Sequence, residues 1–407
     1  MRKFFTMALT ILVAFSCVAC STGGNSVDNS QSGNKEYNIT IVDPEEGFLP
    51  IVGDKVRKYL NADYESSAEI VKRSTVQNDD TQNSYIAFKT EYKNSFTVRY
   101  STDKNFSTYV DKVVDKNLKN GTNYVNLGIL YPNTTYYFRV FATDNPNYCS
   151  EDKELTTENS IVRPITLTDE NGKGVRNVRD IGGWNISENS RVKYGLIYRG
   201  GYLNTRSGVN DVYALNDYGR SVMKDSLGIK SEIDLRSSGA DDIDTTDPDK
   251  TPQTKNYIDS SLPYYKCTIT QYDAIFTSSS SGESIKKIFK TLADKNNYPV
   301  YIHCNAGADR TGTTIGLIHA LLGVSEEDLT RDFELTSYSP YGKRTRDYVM
   351  QNDYSNYVAW GKYLETLVNK YDATEKNLQV AAENYLKSLG ITESEISAIK
   401  NIMVESM

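Results

Sequence analysis

The sequence contains few of the residues that build metal centres and disulfide scaffolds. Its 407 residues include 5 cysteines, 2 histidines and 2 tryptophans. No Cys-x-x-Cys pair faces a second one downstream, which argues against a zinc array, and the cysteines are too unevenly spaced for a disulfide framework. The formal net charge of −7 comes without a dominant basic stripe, which argues against a nucleic-acid-binding protein.

The chain is long enough for more than one folded domain. Its length corresponds to about two or three domains at roughly 100–200 residues each. Hydrophobic residues make up 38% of the chain and charged residues 24%, which is enough apolar material to build cores. This composition argues against wholesale disorder.

The N-terminus has the organisation of an export signal. Arg2 and Lys3 precede an apolar segment, Phe4–Phe15. This segment is shorter than the about 20 residues that are needed to span a bilayer. The pattern is typical of a signal peptide, which we place at residues 1–19. No later stretch of the sequence is apolar enough to cross a membrane.

A short motif at the end of this segment predicts lipid attachment. Cys17-Val18-Ala19-Cys20 resembles a bacterial lipobox, although Cys17 stands where leucine is usual. We expect Cys20 to carry the lipid and the Ser/Gly/Asn-rich residues 20–36 to form a flexible tether. The expected location is therefore that of an exported, membrane-anchored lipoprotein at the cell surface or in the periplasm. Cleavage after Ala19 without lipidation, which gives a secreted protein, is the alternative.

The middle of the chain has the pattern of an all-β sandwich. Short β-rich runs separated by turn residues fill about residues 83–157. The run Leu130–Ala142 resembles the fibronectin type III pattern, in which a Tyr, here Tyr136, locks a corner with its hydroxyl. We expect such a domain over residues 37–160, as a spacer or a surface that contacts protein. Residues 37–82 are assigned no role, and Leu60–Asp63 fit the start of either a short helix or a further strand.

One cysteine lies in a pattern that binds phosphate. The β-run Val300–His303 ends at Cys304, and five residues separate Cys304 from Arg310. From Asp309 the spacing of apolar residues predicts a helix through Leu322. In such a strand–loop–helix unit the loop N–H groups form an anion nest, and the helix adds its positive end.

The residue types in this loop suit nucleophilic attack on a phosphate ester. Arg310 offers a two-pronged donor for phosphate oxygens, and the positive surroundings favour Cys304 as a thiolate nucleophile. Thr311 is expected to donate its hydroxyl to the sulfur, and His303 to hold the loop through its ring N–H. This chemistry needs no metal and no cofactor, because Arg310 and the loop amides balance the charge. The expected phosphate-binding residues are Asn305, Ala306, Gly307, Ala308, Asp309 and Arg310.

The same segment resembles a known family. The residues His303-Cys304-x-Ala306-Gly307-x-Asp309-Arg310-Thr311-Gly312 resemble the protein tyrosine phosphatase superfamily, and more narrowly its atypical bacterial tyrosine and phosphoinositide phosphatases. The resemblance covers about residues 163–407. It implies an α/β cysteine-phosphatase domain with a central sheet flanked by helices. Further segments similar to motifs of that family are Asn177–Gly183, Tyr194–Gly201, Ile233–Ser237 and Ala381–Met403.

Two positions in the loop bear on the substrate class. The family commonly has Lys where this chain has Ala308, and that Lys is associated with polyanionic lipid headgroups or dual specificity. Its absence weakens the expectation of a phosphoinositide substrate. Cysteine-type phytases share the loop architecture but typically carry Gly where Asp309 stands, which argues against a phytase.

The leaving oxygen needs a general acid, and three aspartates are candidates. Asp309 lies in the loop, and the resemblance implies that it is the acid. Asp273 precedes Cys304 by about the interval at which dual-specificity enzymes keep their acid; its alternative is a solvated loop residue. Asp234 belongs to the Asp-Leu-Arg motif, and its alternative is a carboxylate that caps a turn at Arg236.

Two further charged features have open roles. Arg199 either reads a second negative group of the substrate or forms a structural ion pair. The acidic residues between 241 and 249 predict a solvated loop, since their spacing is not that of an EF-hand.

The sequence thus predicts an exported phosphatase that forms a cysteinyl-phosphate on Cys304, with protein phosphotyrosine as first substrate and dual specificity as a variant. A phosphoinositide or inositol-phosphate phosphatase is the second interpretation, and a phosphate-binding pseudophosphatase without turnover is the third. The expected partners are the phosphorylated protein, phospholipid or inositol phosphate, and the membrane through the N-terminal lipid.

Overall fold

The computed structural model describes residues 36–44, 48–76, 78–81, 84–114, 118–119, 121–204, 212–237, 253–346 and 356–407. The predicted signal peptide, the predicted lipidation site Cys20 and nearly all of the predicted tether lie outside these residues, as do the acidic residues between 241 and 249. Across the described part of the chain, no helix combines the length and apolarity that crossing a membrane requires.

The N-terminal part is built mainly from short strands. Two helices, α1 (Asp54–Leu60) and α2 (Tyr64–Arg73), interrupt them. The strands described here are β1 (Glu36–Tyr37), β2 (Thr40–Asp43), β3 (Phe48–Leu49), β4 (Tyr85–Lys89), β5 (Phe96–Ser101), β6 (Val110–Val114), β7 (Leu118–Lys119), β8 (Thr122–Asn126), β9 (Thr135–Ala142), β10 (Asn145–Cys149) and β11 (Lys153–Thr157).

These strands form two sheets within the described residues. One sheet has the order β2-β4-β8-β7; in the other, β9 pairs with β5 on one side and with β10 and β11 on the other, and β6 extends it beyond β5. Side chains along β9 alternate between buried and partly buried, as a strand with one face on a core requires. The sheets meet where the ring of Phe88 on β4 packs edge-on against Phe96 on β5, 5.1 Å between centroids.

The predicted tyrosine corner is present. The hydroxyl of Tyr136, at the start of β9, accepts a hydrogen bond from the backbone N–H of Tyr131 at 3.0 Å. Tyr136 is buried, so this bond satisfies a hydroxyl that has left water.

The prediction of an all-β region missed α1 and α2. The segment Leu60–Asp63, left open between helix and strand, ends α1 and caps α2, since the Asp63 carboxylate accepts from the Ser66 N–H at 2.9 Å. Both helices are short, and such helices draw their stability from packing rather than from propensity. They pack against the C-terminal part of the chain.

The C-terminal part is an α/β domain. Short 3₁₀ segments lie at Tyr272–Phe276, Lys295–Asn297 and Leu335–Tyr338, and a π-helical turn at Val222–Ser226. The described helices are α3 (Asp217–Ser221), α4 (Ser279–Leu292), α5 (Asp309–Leu322), α6 (Glu326–Glu334), α7 (Asn356–Tyr371), α8 (Leu378–Ser388) and α9 (Glu393–Met403). The described strands are β12 (Leu167–Thr168), β13 (Gly174–Val175), β14 (Arg179–Asp180), β15 (Asn185–Ser187), β16 (Ser190–Val192), β17 (Ile197–Gly200), β18 (Ser231–Asp234), β19 (Tyr264–Lys266), β20 (Val300–His303) and β21 (Val404–Ser406).

The central sheet brings three predicted motifs to one edge. Its order is β14-β17-β20-β18-β19, and β17, β20, β18 and β19 run parallel. In register, His303 lies between Gly200 and Asp234. Because the carboxyl ends of parallel strands share an edge, the loop after β20 opens beside the ends of β17 and β18, where ligands bind in open α/β sheets.

The helix that follows this loop is the core helix of the domain. Helix α5 has the bounds that the sequence predicts, and nearly all of its side chains after Arg310 are buried. In the C-terminal segment with the family resemblance, α8 packs against this helix and α9 packs against α4. Thr392 and Glu395 form a capping box at the start of α9.

Residues 54–80, here called the strap, fasten the N-terminal part to the α/β domain. The Tyr59 hydroxyl donates to the buried carboxylate of Glu334 at 2.6 Å. Arg331 on α6 donates to the carbonyl oxygens of Tyr59 and Ala62 at 3.3 and 2.9 Å. The Arg346 guanidinium lies 3.5 Å from the centre of the Tyr64 ring. The strap therefore packs with the α/β domain, although strands of the two N-terminal sheets flank it in sequence.

Candidate active site

The phosphate loop begins where the central strand ends. Cys304 follows β20 directly and is 3% exposed. Gly307 has φ +65°, and a Cβ there would lie 2.3 Å from the carbonyl carbon of Gly200. Only glycine fits this close, left-handed position, so the family motif's Gly is required for the loop to curl against β17.

The first turn of α5 is open to an anion. The N-cap residue of this helix, Ala308, makes no side-chain hydrogen bond to the first turn. Arg310 is the second residue of the helix and is partly exposed, while Ala308 is buried. The loop residues Asn305 and Ala306 are also partly exposed. Uncapped amides and a neighbouring guanidinium together suit a phosphate group.

Asn177 and Arg199 hold the loop from its buried side. The Asn177 side-chain amide donates to the carbonyl oxygens of Ala306 and Gly307 at 3.0 and 3.3 Å. Arg199 donates to the Gly307 carbonyl at 2.8 Å. These bonds fix the carbonyl oxygens on the buried side of the loop, which is the layout that an anion nest of loop N–H groups requires.

A buried charge cluster supports these two residues. Asp332 on α6 accepts from Arg179 Nε at 2.9 Å and forms an ion pair with Arg199. Burial acts to raise the pKa of Asp332, but the charges of Arg179 and Arg199 outweigh it and hold that pKa well below its usual range. Arg199 is fully buried, so the structure places it in the structural ion pair and away from a substrate. We call Asn177, Arg179, Arg199 and Asp332 the buried side of the loop.

His303 has the position expected of a supporting residue. Its ring is fully buried, with Nδ1 3.2 Å from the Cys304 carbonyl oxygen and Nε2 3.0 Å from Oε1 of Glu232. The ring thus ties the start of the loop to the neighbouring strand β18. Thr311 is buried, and its hydroxyl makes no hydrogen bond in the described structure, so the predicted bond to the Cys304 sulfur is not formed here.

Asp309 lies on the open side of the loop in a tight ion pair. Arg344 donates to its two carboxylate oxygens from Nε and Nη2 at 2.7 and 2.8 Å, and the Tyr272 hydroxyl donates to Oδ1. Burial acts to raise the pKa of Asp309, but Arg344, Tyr272 and Arg310 together lower it below the usual range. We call Asp309, Arg344 and Tyr272 the open side of the loop.

The other two candidate acids differ in their surroundings. Asp273 pairs with Lys362 at 2.7 Å and follows Tyr272 in the 3₁₀ segment, one residue from the open side. Asp234 is fully buried, and its Oδ1 accepts from the N–H and Nε of Arg236, both at 2.9 Å. Burial would raise the pKa of Asp234, but nearby His303 and Arg236 hold it far below its usual range. Asp234 therefore has the turn-capping role that the sequence offered as its alternative.

Some functional residues carry no sequence signal. Glu232, Asp332 and Arg344 belong to none of the motifs considered above. Asp332 lies on a helix with several acidic residues, where solvation is the ordinary expectation, and Arg344 lies in a basic loop. In the described residues no group of His, Cys, Asp and Glu side chains is arranged to hold a metal ion. The described cysteines, Cys149, Cys267 and Cys304, form no disulfide bonds with one another.

Comparison with known proteins agrees with this geometry. Residues 171–405, more than half of the chain, match the family model described as "Tyrosine phosphatase family". The chain belongs to the tyrosine phosphatase family. It is therefore a phosphatase of the protein-tyrosine-phosphatase type, as the phosphate loop predicted.

Over parts of its length, this tyrosine phosphatase is similar to known proteins. It is 25% identical over 220 residues to a protein named "Tyrosine-protein phosphatase" from Nostoc commune, which covers 47% of this chain and 71% of that one. It is also similar to the core catalytic domain of PP-IP phosphatase SIW14 from S. cerevisiae, solved in complex with citrate. That likeness has 14% identity, covers 44% of this chain and 91% of that one, and has a TM-score of 0.26.

Proposed function

We propose that this protein hydrolyses phosphotyrosine in proteins through a cysteinyl-phosphate intermediate on Cys304. The Cys304 sulfur attacks phosphorus, the P–O ester bond breaks, and the leaving oxygen takes a proton from a general acid, for which Asp309 is the first candidate. Water then attacks phosphorus, which breaks the S–P bond and releases inorganic phosphate. Arg310 and the loop amides carry the phosphate charge in both steps.

The observation that supports this proposal is that the two sides of the loop make different contacts. Asn177 and Arg199 engage the loop carbonyls from the buried side, and the uncapped start of α5 faces the phosphate site with Arg310. A loop fixed in this way needs no reorganisation when the charge develops, which is what makes such stabilisation effective. The presence of Cys304, Arg310 and Thr311 together argues for turnover over the pseudophosphatase interpretation.

The export and the accessory domain belong to the same proposal. The lipobox-like motif at Cys20 supports a lipid-anchored phosphatase at the cell surface or in the periplasm, with a secreted form as the alternative. The two-sheet arrangement and the Tyr136 corner support a fibronectin type III domain that spaces the enzyme from the membrane or contacts protein.

The nucleophile is tested with p-nitrophenyl phosphate. We expect Cys304→Ser in the purified protein to lower kcat by at least about 10³-fold, since the hydroxyl is a far weaker nucleophile. Cys267→Ser is the matched control, because this thiol is also buried and burial raises its pKa to about 12. Equal rates for Cys304→Ser and the parent protein would contradict the proposal, and absence of turnover in both would favour the pseudophosphatase.

A second candidate substrate is a phosphoinositide or an inositol phosphate. Arg344 brings to the loop a positive charge that Ala308 does not supply, and more highly charged substrates would benefit from it. A panel of phosphotyrosine, phosphoserine and phosphothreonine peptides, phosphoinositides and inositol phosphates at matched concentrations separates the candidates by kcat/KM. We expect phosphotyrosine peptides to have the highest value; a higher value for inositol phosphates would replace the first proposal by the second.

A further inference from the structure

The Asp309 carboxylate of the phosphate loop accepts hydrogen bonds from two side chains. Arg344 places Nε and Nη2 against the two oxygens of Asp309, and the Tyr272 hydroxyl adds a bond to Oδ1. Among the described residues, the charged and titratable groups facing this carboxylate are Arg344 from the loop after the 3₁₀ segment at Leu335–Tyr338, Tyr272 from its own 3₁₀ segment, and Arg310 on α5. All of them favour the anion, and a general acid must carry a proton.

The side chain of Arg344 is able to change partner without its backbone moving. Its N–H donates to Ser337 Oγ at 2.7 Å, and the Ser337 hydroxyl donates to its carbonyl oxygen at 2.7 Å. Ser337 is buried, so the backbone is fixed. The side chains of Arg344 and Asp309 are 12% and 17% exposed, which leaves the pair in reach of a ligand.

A phosphate in the loop competes for the same guanidinium. Asp309 and Arg310 are neighbours at the start of α5, so a dianion bound by Arg310 lies close to the Asp309–Arg344 pair. A guanidinium binds a phosphate with the same two-pronged geometry that it offers a carboxylate.

We propose that Arg344 is a positioning residue that exchanges partners: it pairs with Asp309 in the empty site and with the phosphate when substrate binds. This rests on the proposed function. The monoanionic ester, whose second pKa is about 6, loses its proton to Asp309 as Arg344 leaves. When the S–P bond forms and the P–O bond breaks, Asp309 returns that proton to the leaving oxygen. The carboxylate is then an anion again, and Arg344 re-forms the pair when inorganic phosphate leaves the loop.

Binding of sulfate to Cys304→Ser tests this exchange without turnover. Sulfate is a fully ionised dianion, so any proton taken up on binding passes from the buffer to a group of the protein. Titration calorimetry at about pH 5.5, in buffers of different ionisation enthalpy, counts those protons. We expect net proton uptake that falls when Asp309→Asn is added to the Cys304→Ser protein.

Variants of Arg344 complete the test. Arg344→Met in the Cys304→Ser background is expected to weaken sulfate binding about tenfold and to reduce proton uptake, because a charge-assisted contact is lost. Arg344→Lys keeps the charge but loses the two-pronged donor geometry. Its sulfate affinity and proton uptake are expected to lie between those of the Cys304→Ser protein and those of Arg344→Met in the same background. Lys362→Met is the control, since it removes a side chain of the same charge that pairs with Asp273. It is expected to change neither the sulfate affinity nor the proton uptake.

The outcomes separate this inference from the proposed function. Proton uptake that is the same with and without Asp309→Asn would overturn the exchange, as would unchanged sulfate affinity in both Arg344 variants. Either result leaves the nucleophile untouched, since the loss of turnover in Cys304→Ser is measured independently on p-nitrophenyl phosphate.

Discussion

The two sides of the phosphate loop hold their charges in different ways. On the buried side, the side chains of Arg199 and Asp332 are 0% and 3% exposed, and every contact joins fixed elements of the core. On the open side, those of Arg344 and Asp309 are 12% and 17% exposed. A buried pair cannot separate without leaving an uncompensated charge, whereas a partly exposed pair can exchange one partner for another. The loop therefore combines a permanent support with a replaceable ion pair.

The largest effect is expected from breaking the buried side. Asp332→Asn leaves Arg179 and Arg199 buried with less compensation, and we expect the free energy of unfolding to fall by about 3–5 kcal/mol. Urea-induced unfolding measures it. The control is Asp111→Asn, which breaks the more exposed pair with Arg99 on the sandwich and should cost less than about 1 kcal/mol. Similar losses in the two variants would remove the distinction between the sides.

The open side is expected to affect turnover more than stability. Asp309→Asn should lower kcat by about 10²–10⁴-fold, since the leaving oxygen loses its proton donor. The effect should be larger for phenyl phosphate than for p-nitrophenyl phosphate, whose leaving group needs less protonation. Asp273→Asn is the comparison variant. If Asp273→Asn has the larger effect and Asp309→Asn leaves the rate unchanged, the acid is Asp273.

The smallest effect is expected from Asp79 of the strap. Its carboxylate contacts Asn177 on the buried side of the loop. Its carboxylate oxygens accept from the Asn177 N–H at 3.1 and 3.2 Å, and burial raises the pKa of Asp79 to about 6. The folded state therefore binds this proton more tightly than the unfolded state does. Stability from this group is present at acidic pH and is lost as the pH rises through about 6.

Asp79→Asn should remove this pH dependence. We expect the variant to be more stable than the parent above neutral pH, by at most about 3 kcal/mol, and to lose that advantage near pH 4. Unfolding free energies at both pH values measure the difference. An advantage of equal size at the two pH values would show that Asp79 does not titrate in this range.

The local parts of the site could be predicted from the sequence, because their signals are local. The strand Val300–His303 and the helix Asp309–Leu322 have the expected bounds, and the Tyr136 corner forms as expected. Apolar periodicity and a fixed motif spacing define such units over a few residues. The helical segment Ala381–Met403 followed from family resemblance, which also depends on a contiguous pattern.

The features that could not be predicted from the sequence depend on contacts between residues that are far apart in the chain. Tyr59 meets Glu334, and Asp309 meets Arg344, through the tertiary fold. One sequence holds no periodicity that records such pairs. The helices of the strap are short and gain their stability by packing, so propensity gave no clear choice at Leu60–Asp63. Arg199 illustrates the same limit: the sequence offered two roles, and only burial distinguishes them.

The position of the strap also affects whether the parts of this protein can be exchanged by domain shuffling. Domain shuffling moves contiguous stretches of sequence, and the strap lies between sandwich strands β3 and β4 while it packs on the α/β domain. A catalytic domain transferred alone would leave behind the hydroxyl that Glu334 binds and the carboxylate that holds Asn177. The N-terminal strand region and the phosphatase domain are thus expected to have diverged as a pair, with changes on one side of this contact matched by changes on the other.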